Sequence, residues 1–482
     1  MIFTALFLVL GPAALLYLWL VNKAILRVPK EVREISPRRW TKKEIAETYE
    51  RIERNPIDFT PHLPPKLDRR YIVVGSSGLV GGYMVLHLLQ RGQSPESIRM
   101  VDFVPPKRLD VLRATKSVEF VQADITSEDS TMAAFGRPWP KSVADLPLTV
   151  LHTAAVINFT DRARTLLPKV TKVNLTGTAN VLSAAKRAGA DIFLATSSAS
   201  IAIKPVGFWI WPWQRHPKNM FQFYGEDDAY APLRDHFDYF GNYAVSKALA
   251  EKLVMDANSD TFKTGCIRPA NGVYGTRYDH TVGTYLTRRD VPTWVPHIVQ
   301  NFVHAEHVSL AHFDYERALL TAGNKVGGRS FVVTDPNPPI TFSDIYTVLS
   351  TTSVTGFKAT YIPPIFLLVI SYPIELYYLL KAFFPILNRV LPELPFEMGL
   401  MQPTLFSISC AHVIATDAAA KKSIAEGGIG YKGVCSTLEG MCMEVYLWNK
   451  EHREENQQQS VDAQIREEIR NMATVPAAMG GG

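Results

Sequence analysis

The sequence is poor in cysteine and lacks any concentrated excess of charge. Its 482 residues include four cysteines, and their spacing matches no zinc-binding pattern. So few cysteines in so long a chain indicate a reducing compartment. The net charge of +5 is small and diffuse, which argues against a nucleic-acid partner. The histidines His304, His307 and His312 lack a convincing group of carboxylate or cysteine partners, so we expect no metal site.

Charged residues are absent from Ile2 to Val21. At about 1.5 Å per residue this run measures about 30 Å, the thickness of a bilayer core. A cleaved signal peptide fits poorly, because no basic residue precedes the run and no clean small-residue cleavage site follows it. Basic residues follow it instead, so the positive-inside rule predicts a single-pass anchor over residues 1–22 with the rest of the chain in the cytosol. The endoplasmic reticulum is the expected membrane.

The stretch after the predicted anchor is rich in charge and then in proline. A helical pattern covers Thr41–Arg54, and prolines cluster from Pro56 to Pro65. We interpret residues 23–68 as a juxtamembrane linker, although its helix could equally pack on the fold. At the other end, residues 449–482 form a charged tail, with a helix expected over Lys450–Met472 and disorder at the last glycines.

A short strand followed by a glycine-rich turn gives the first indication of function. Tyr71–Val74 has the pattern of a buried parallel strand, and a helical pattern follows the sequence GSSGLVG. Such glycines allow a tight turn, close approach of a pyrophosphate, and close packing of helix on strand. A βα turn without a ligand explains them equally well. The residues predicted to contact a dinucleotide, partly through free helix amides, are Gly75, Ser77, Gly78, Leu79, Val80 and Gly81.

The next two strands end in acidic residues. Asp102 ends the second strand, where a carboxylate accepts hydrogen bonds from the adenosine ribose and repels a 2′-phosphate, so it favours NAD over NADP. Lys107 and Arg108 follow closely and could weaken that preference, which leaves NADP open. Asp124 and Ile125 follow the third strand, where an adenine ring would lie, although Asp124 could be only a turn former.

Small residues end the fourth strand, and a serine pair follows the fifth. Thr153, Ala154 and Ala155 would let a cofactor lie against the backbone, although simple close packing also explains them. A helix over Val170–Ala188 separates this strand from the one over Asp191–Ala195. Strands alternating with helices at this spacing predict an α/β fold with a Rossmann-type, doubly wound parallel sheet.

Tyr243 and Lys247 supply the chemistry that the glycine turn lacks. Residues four apart share one face of a helix. A phenol loses its proton near pH ~10, and a neighbouring ammonium lowers that value, so the tyrosine can accept a proton from an alcohol near neutrality. Such a pair alone is common, but here it follows a glycine turn and the Ser197-Ser198 pair after the fifth strand.

These motifs together resemble a known family. GSSGLVG, VNLTGTANVL, TSS, YAVSK and RPANGVYG resemble the extended short-chain dehydrogenases/reductases. NFVHAEHVSLAH, GGRSFVVTD and IGYKGVCSTLEGM are similar to its 3β-hydroxysteroid dehydrogenase branch, which includes the sterol 4-carboxylate 3-dehydrogenases. The resemblance covers roughly residues 70 to 445.

The resemblance implies a role for each matching residue. Tyr243 would be the general acid/base, and Lys247 would lower its pKa and hold the nicotinamide ribose. Ser198 would bind the substrate oxygen, with Ser197 as the reserve candidate. Asn174 would support a water relay to Lys247, and Pro269 and its neighbours would flank the nicotinamide.

The implied reaction is NAD-dependent oxidation of the 3β-hydroxyl of a sterol, triterpenoid or related polycyclic lipid. The sequence leaves open ketone reduction, linked isomerisation and C4 decarboxylation. Two alternatives stay open: a nucleotide-sugar epimerase or dehydratase on the same fold, and a non-catalytic membrane scaffold that binds NAD. A homodimer is compatible with the sequence.

One region departs from the family pattern. Between Ser198 and Tyr243 lie 44 residues, longer than the usual spacing, and this insert (residues 201–240) contains FWIWPWQ at Phe208–Gln214. A substrate lid, a membrane-touching loop and an extra packed element are all open interpretations.

A second apolar block spans Tyr361–Leu391. Four prolines and the charged residues Glu375, Lys381 and Arg389 interrupt it, which disfavours a spanning helix and favours an interfacial element. A buried helical pair is the alternative. We therefore predict an NAD-binding domain over residues 69–340, followed by a smaller, partly interleaved substrate- and membrane-associated region over residues 341–448.

Overall fold

The computed structural model describes residues 2–229 and 231–453. In chain order the strands are β1 (Arg70–Val74), β2 (Ile98–Asp102), β3 (Glu119–Gln122), β4 (Leu148–His152), β5 (Ala190–Thr196), β6 (Phe221–Tyr224), β7 (Lys263–Pro269), β8 (Val273–Tyr274), β9 (Asp290–Thr293), β10 (Val299–Gln300), β11 (Val303–His304), β12 (Arg329–Val333), β13 (Ile340–Thr341), β14 (Lys358–Tyr361) and β15 (His412–Ala415).

The helices connect these strands and cover the sheets. They are α1 (Ile2–Ile25), α2 (Lys30–Ile35), α3 (Lys42–Arg54), α4 (Leu79–Gln90), α5 (Leu109–Ala114), α6 (Glu128–Phe135), α7 (Pro168–Thr171), α8 (Thr178–Arg187), α9 (Asn242–Asp256), α10 (Val282–Arg288), α11 (Ala305–Ala322), α12 (Phe342–Thr352), α13 (Pro364–Phe383), α14 (Leu387–Val390), α15 (Phe396–Leu400), α16 (Pro403–Ser409), α17 (Ala418–Lys421) and α18 (residues 437–453). A π-helical segment, Lys172–Gly177, joins α7 to α8. Most of the predicted tail helix lies outside the described residues.

The central sheet has seven parallel strands in the order β12-β7-β5-β4-β1-β2-β3. Successive residues of β1 point to opposite faces, so Tyr71 and Val73 enter one core while Ile72 and Val74 enter the other. Helices α4 and α11 cover the first face, and α8 and α9 cover the second. Burial on both faces explains the continuous apolar strands, and the predicted doubly wound Rossmann-type sheet is confirmed.

A second, four-stranded sheet has the order β13-β10-β15-β6. Strand β6 comes from the insert and pairs in parallel with β15, which lies nearly two hundred residues later in the chain. The insert and the C-terminal part of the chain are therefore interleaved, and part of the insert is a packed element.

The N-terminal helix α1 is longer than the predicted anchor. Its last turn belongs to the fold, because Val21, Ala24 and Ile25 are buried in the main core. The helix also packs against α13. Within the part of the chain searched for spanning helices, α13 passes by length and composition. An N-terminal membrane anchor therefore stays a prediction.

The segment between the anchor helix and β1 is packed against the protein. Thr41 caps α3 by accepting a hydrogen bond from the Glu44 amide (3.2 Å). The apolar face of this helix buries Ile45 and Ile52 in the same core as α12. Residues 42–54 thus form the packed helix that the sequence left as an alternative to a free stalk.

Candidate active site

The predicted site residues lie at the carboxyl ends of the central strands. Parallel strands present these ends at one edge of the sheet, where such folds bind their ligands. The glycine turn follows β1, Asp102 ends β2, and Asp124 follows β3. Thr153 follows β4, and Ser197 and Ser198 follow β5. The fold therefore brings distant motifs together at this edge.

Close packing requires glycine at two of the three positions in this turn. Gly75 has φ +86°, and a Cβ there would lie 2.5 Å from the Ala154 amide nitrogen. A Cβ at Gly81 would lie 2.1 Å from the Gly75 carbonyl oxygen. At Gly78 the nearest protein atom would be 3.3 Å away, a far milder clash. The protein itself thus explains Gly75 and Gly81, while Gly78 leaves the space that an approaching pyrophosphate needs.

The surroundings of the turn also fit a dinucleotide. Helix α4 begins at Leu79, so the first-turn amides of Leu79, Val80 and Gly81 precede its hydrogen-bond ladder and are available to an anion. The Ser76 hydroxyl oxygen is buried without a hydrogen-bond partner. Ser77 instead donates its hydroxyl to the Val104 carbonyl (2.7 Å). These groups would hold the diphosphate of a bound cofactor.

Asp102 is fixed against the glycine turn. Its carboxylate accepts hydrogen bonds from the amides of Ser77 (2.9 Å) and Val104 (3.3 Å). Arg108 is buried, stacks on the Tyr83 ring (4.0 Å), donates to the Leu79 carbonyl (3.2 Å) and pairs with Asp110. Since Arg108 is committed to these internal contacts, it is poorly placed to receive a 2′-phosphate. The site therefore favours NAD.

Asp124 and Ile125 have local structural roles, and their predicted contact with an adenine ring stays a prediction. The Asp124 carboxylate accepts a hydrogen bond from the Thr126 amide (2.8 Å), and hydrogen bonding by Thr126 holds its pKa below the usual range. This is the turn-forming role that the sequence left open. Ile125 packs against Gly177, where a Cβ would lie 2.8 Å from Ile125 Cδ1.

The small residues after β4 pack against the glycine turn. Thr153 Oγ1 donates to the carbonyls of Val74 (3.0 Å) and Gly75 (3.1 Å), and the Ala154 amide donates to Val74 (3.2 Å). Close packing therefore explains Thr153 and Ala154 without a ligand. Ala155, the next residue, is partly exposed at the same edge.

Helix α9 places Tyr243 beside Ser198. Both Tyr243 and Lys247 are buried on this helix. Burial raises the pKa of Tyr243 above its ordinary value, and a hydrogen bond from Ser198 opposes the rise. The Ser198 hydroxyl also lies 2.7 Å from the Ser200 hydroxyl. A serine hydroxyl and a phenol thus face the same point, where an alcohol oxygen can bind both.

Lys247 contacts the backbone of β5. Its Nζ donates to the Thr196 carbonyl (2.7 Å), and burial lowers the pKa of this lysine to about 8. Burial outweighs the Ser198 hydrogen bond and leaves the pKa of Tyr243 raised, and the lowering of that pKa by Lys247 stays a prediction. A lysine with this pKa is partly deprotonated near neutral pH and can exchange protons.

Asn174 lies in the π-helical segment, and its side chain is fully used. Its Nδ2 donates to the Val156 carbonyl (3.0 Å) and to Ser246 Oγ (2.9 Å), while its Oδ1 accepts from the Val156 amide (2.8 Å). The side chain therefore ties α9 to the segment after β4, and these hydrogen bonds go to Val156 and Ser246 rather than to Lys247. The predicted water relay remains untested.

His152 is a site residue that the sequence analysis passed over. It ends β4, is buried, and lies 3.0 Å through Nε2 from Thr178 Oγ1. Thr178 donates in turn to the Asn174 carbonyl (2.7 Å), so His152 must carry its proton on Nε2. Burial, reinforced by Lys247, lowers the pKa of His152 to about 3. This neutral histidine supports the π-helical turn at Asn174. In the sequence, its position directly before the predicted cofactor-contacting residue Thr153 could have indicated that it lies near the site.

The other predicted residues flank the site. Pro269 is buried at the end of β7, beside β12. The Ser197 amide donates to the Ile267 carbonyl (2.7 Å), and its hydroxyl is buried without a partner. Beneath Lys247, Arg268 forms a buried ion pair with Glu251 (Nε to Oε2, 2.9 Å).

The three histidines near residue 310 contribute to packing. His307 donates through Nδ1 to Asp335 (2.7 Å) and accepts from the Val434 amide (2.8 Å). His312 donates through Nδ1 to the Val308 carbonyl (2.7 Å). In the part of the chain that the structure describes, no three metal-ligating side chains are grouped for an ion.

Helix α13 is connected to the site through one loop. Arg162, in the loop after β4, forms a bidentate ion pair with Glu375 of α13 (2.6 and 2.7 Å). The Asp161 carbonyl accepts from the Asn242 amide at the start of α9 (2.8 Å). The loop residues Val156 and Ile157, which precede these attachments in the chain, are exposed, as are apolar side chains of α13. We call these exposed apolar residues of the loop and of α13 the apolar margin.

Comparison with known proteins agrees with this geometry. The sequence profile of the 3-beta hydroxysteroid dehydrogenase/isomerase family matches residues 72–359. The 3 beta-hydroxysteroid dehydrogenase type 7 of Mus musculus is 26% identical over 389 residues, covering 77% of this chain and 92% of that protein. The 3 beta-hydroxysteroid dehydrogenase/Delta 5-->4-isomerase of Mycobacterium tuberculosis is 32% identical over 213 residues, covering 43% of this chain and 47% of that protein.

A solved structure shares the fold. The UDP-glucose-4-epimerase of Stenotrophomonas maltophila, determined with bound NAD and formylated UDP-arabinopyranose, has a TM-score of 0.52 at 17% identity and covers 80% of this chain and 99% of that one. At this identity the likeness concerns the fold alone. The family match spans the glycine turn, the serine pair and the Tyr243–Lys247 helix. This protein is an NAD-dependent oxidoreductase, and its chain belongs to the 3-beta hydroxysteroid dehydrogenase/isomerase family.

Proposed function

We propose that the protein oxidises the 3β-hydroxyl of a sterol, triterpenoid or related polycyclic lipid. The observation that carries this proposal is the meeting of Ser198 and Tyr243 beside an apolar margin formed by α13 and the loop after β4. A phenol and a serine hydroxyl suit a secondary alcohol. The apolar margin suits a substrate with little polar surface.

In the proposed mechanism the side chains of the protein bind the substrate hydroxyl and remove its proton. Ser198 donates a hydrogen bond to the substrate oxygen and positions it. Tyr243 must first be ionised, and Lys247 stabilises its phenolate. The phenolate then accepts the hydroxyl proton while the carbon–oxygen single bond becomes the double bond of a ketone. Bound NAD supplies the hydride acceptor. The His152–Thr178–Asn174 chain keeps the adjacent helix in position.

The surface near the site supports a substrate that arrives from a membrane. Exposed apolar side chains line α13 and the segment after it, and Leu10, Leu15, Leu16 and Trp19 of α1 are also exposed. Moving apolar lipid surface through water costs about 25 cal/mol per Å². We therefore propose that α1 anchors the protein in the endoplasmic reticulum, that α13 lies at the membrane surface, and that the catalytic part faces the cytosol.

The test is turnover with a panel of 3β-hydroxy lipids. Full-length protein in lipid nanodiscs with NAD should produce NADH with at least one polycyclic alcohol. Tyr243→Phe should reduce kcat by a factor of about 10² to 10⁴ while retaining NAD binding. Tyr239→Phe, a buried tyrosine whose hydroxyl accepts from the Arg234 amide, is the matched control and should stay active.

Three results would contradict the proposal. Undiminished turnover by Tyr243→Phe would show that Tyr243 is not the general acid/base. Inactivity with every polycyclic alcohol, combined with interconversion of nucleotide sugars, would favour the epimerase alternative. NAD binding without any turnover would favour a non-catalytic scaffold.

A further inference from the structure

The tip of the insert presents tryptophans to the outside of the molecule. Its segment Phe208–Trp213 alternates, with Phe208 and Ile210 buried in the core and Trp209, Trp211 and Trp213 exposed by 45%, 64% and 75%. The rings of Trp211 and Trp213 stack at 5.3 Å with an interplanar angle of 6°. Core packing explains the inward residues but not three outward indoles.

A closed loop holds these tryptophans in place. The Gly207 amide donates to the Lys218 carbonyl (3.0 Å), which closes residues 207–218 into a hairpin, called the Trp hairpin below. At its tip, the Trp211 amide donates to Gln214 Oε1 (2.8 Å) and the Gln214 amide donates to the Trp211 carbonyl (2.9 Å). The indoles are therefore presented on an ordered backbone.

The Trp hairpin joins the two apolar helices. The Trp209 ring stacks on Tyr17 of α1 at 6.3 Å, and its Nε1 donates to the Tyr372 hydroxyl of α13 (2.8 Å). Next to the tip, His216 forms a hydrogen bond with the backbone of Arg27, just beyond α1. The hairpin thus lies level with the end of α1 where basic residues begin.

The charged side chains within the hairpin and its flanks are basic, while Glu31 of α2 lies near His216. No acidic residue occurs between Ala199 and Gly225, whereas Lys204, Arg215 and Lys218 are basic. Residues 2–30 also lack acidic side chains, and Lys23 lies 4.9 Å from the Trp19 ring. Protein segments that lie in the headgroup layer of a bilayer are typically rich in tryptophan together with lysine and arginine.

We propose that the Trp hairpin lies in the headgroup layer of a phospholipid bilayer, with Trp211 and Trp213 at the boundary with the acyl chains. This inference rests on the proposed membrane attachment but not on the proposed reaction. The hairpin begins shortly after Ser198, so its contact with lipid fixes the height of the site above the membrane. It is a membrane contact additional to α1 and α13.

A fluorescent probe at the tip tests this placement. The native cysteines are buried, so Trp213→Cys in the full chain accepts an environment-sensitive label selectively. In nanodiscs containing anionic phospholipid, we expect blue-shifted emission that nitroxide-labelled lipids quench several-fold. Tyr278→Cys, at a position 50% exposed on another loop, is the matched control and should report water.

The outcomes separate this inference from the others. A bilayer-bound protein whose label at 213 reports water like the control would overturn the hairpin placement alone. Blue-shifted emission without quenching by lipid nitroxides would mean that protein covers the tip, which also overturns it. Failure to enter nanodiscs would overturn the membrane attachment as well, while dehydrogenase activity stands on its own assay.

Discussion

At the scale of single residues, Asp102 is the side chain that we expect to select the cofactor. Its carboxylate is held by the Ser77 and Val104 amides, so it cannot easily turn away from the ribose position. Of the two basic residues nearby, Arg108 is buried in internal contacts and Lys107 is exposed. The sequence placed both cations near Asp102 but could not indicate which was free, because that depends on packing against Tyr83.

Replacing Asp102 should therefore change the cofactor preference. In Asp102→Ser the repulsion of a 2′-phosphate is lost and Lys107 can approach it, so kcat/KM with NADP should rise about tenfold or more, while kcat/KM with NAD falls. The measurement is kcat/KM for both cofactors with the same alcohol. Asp124→Ser should leave the ratio unchanged, and a rise there as large as in Asp102→Ser would contradict the assignment.

The elements that carry the candidate catalytic residues could be predicted from the sequence, but the residues that support them could not. The motifs around Ser198, Tyr243 and Lys247 are local, and each lies on the element that its pattern predicts. His152 supports Asn174 through Thr178, and these three side chains come from β4, the π-helical segment and α8. No local pattern encodes such a chain of hydrogen bonds. The raised pKa of Tyr243 likewise depends on burial, which one sequence does not give.

At the scale of elements, a buried acid pair joins α18 to the loop after β8. The Gly275 amide donates to Asp279 Oδ2 and Glu444 Oε2, both at 3.0 Å. Burial, reinforced by Asp279, raises the pKa of Glu444 well above its usual range, and burial also raises the pKa of Asp279. The two carboxyl groups therefore retain a proton between them at pH values where an exposed pair would be ionised.

This proton makes stability fall as pH rises. Between the ordinary pKa of a glutamate and the raised one, the folded chain binds more protons than the unfolded chain, so the free energy of unfolding decreases with pH. Glu444→Gln imitates the protonated acid. Near pH 8 it should raise the free energy of unfolding by about 1–2 kcal/mol and flatten the pH dependence of Tm between pH 6 and 8.

A second glutamate on the same helix provides the control. Glu439 accepts from Arg51 (2.9 Å) as well as from Ser436, so Glu439→Gln should lower Tm or leave it unchanged. Calorimetry of both variants across this pH range makes the comparison. A Glu444→Gln protein less stable than the native one at pH 8 would show that the buried carboxylate is stabilised as an ion.

At the scale of the whole molecule, α1 is both an exposed apolar helix and a part of the core. Val21, Ala24 and Ile25 are buried, and His297 Nε2 donates to the Ile25 carbonyl (3.0 Å). The sequence predicted an anchor from its uncharged length, but the burial of its last turn requires partners near residues 297 and 365. The hydrophobic periodicity of a sequence does not predict such long-range contacts.

Two truncations at the N-terminal end should therefore differ in thermal stability. A chain starting at Leu20 keeps the buried turn and should retain most of its stability. A chain starting at Leu26 loses Val21 and Ile25, each worth about 1.5–3 kcal/mol, together with Ala24, so its Tm should fall by about 3 to 6 degrees. Thermal unfolding in the same detergent compares them, and equal Tm values would show that the last turn of α1 does not stabilise the fold.

The parallel pairing of β6 with β15 has a consequence for synthesis. On the ribosome, the N-terminal helix emerges first, and the Trp hairpin follows long before His412–Ala415 exists. Strand β6, which follows the hairpin, stays without its partner strand β15 during this time, so its aromatic side chains are uncovered. A chaperone or the lipid surface must shield it during this interval, so a translational pause before residue 412 should increase aggregation of the nascent chain.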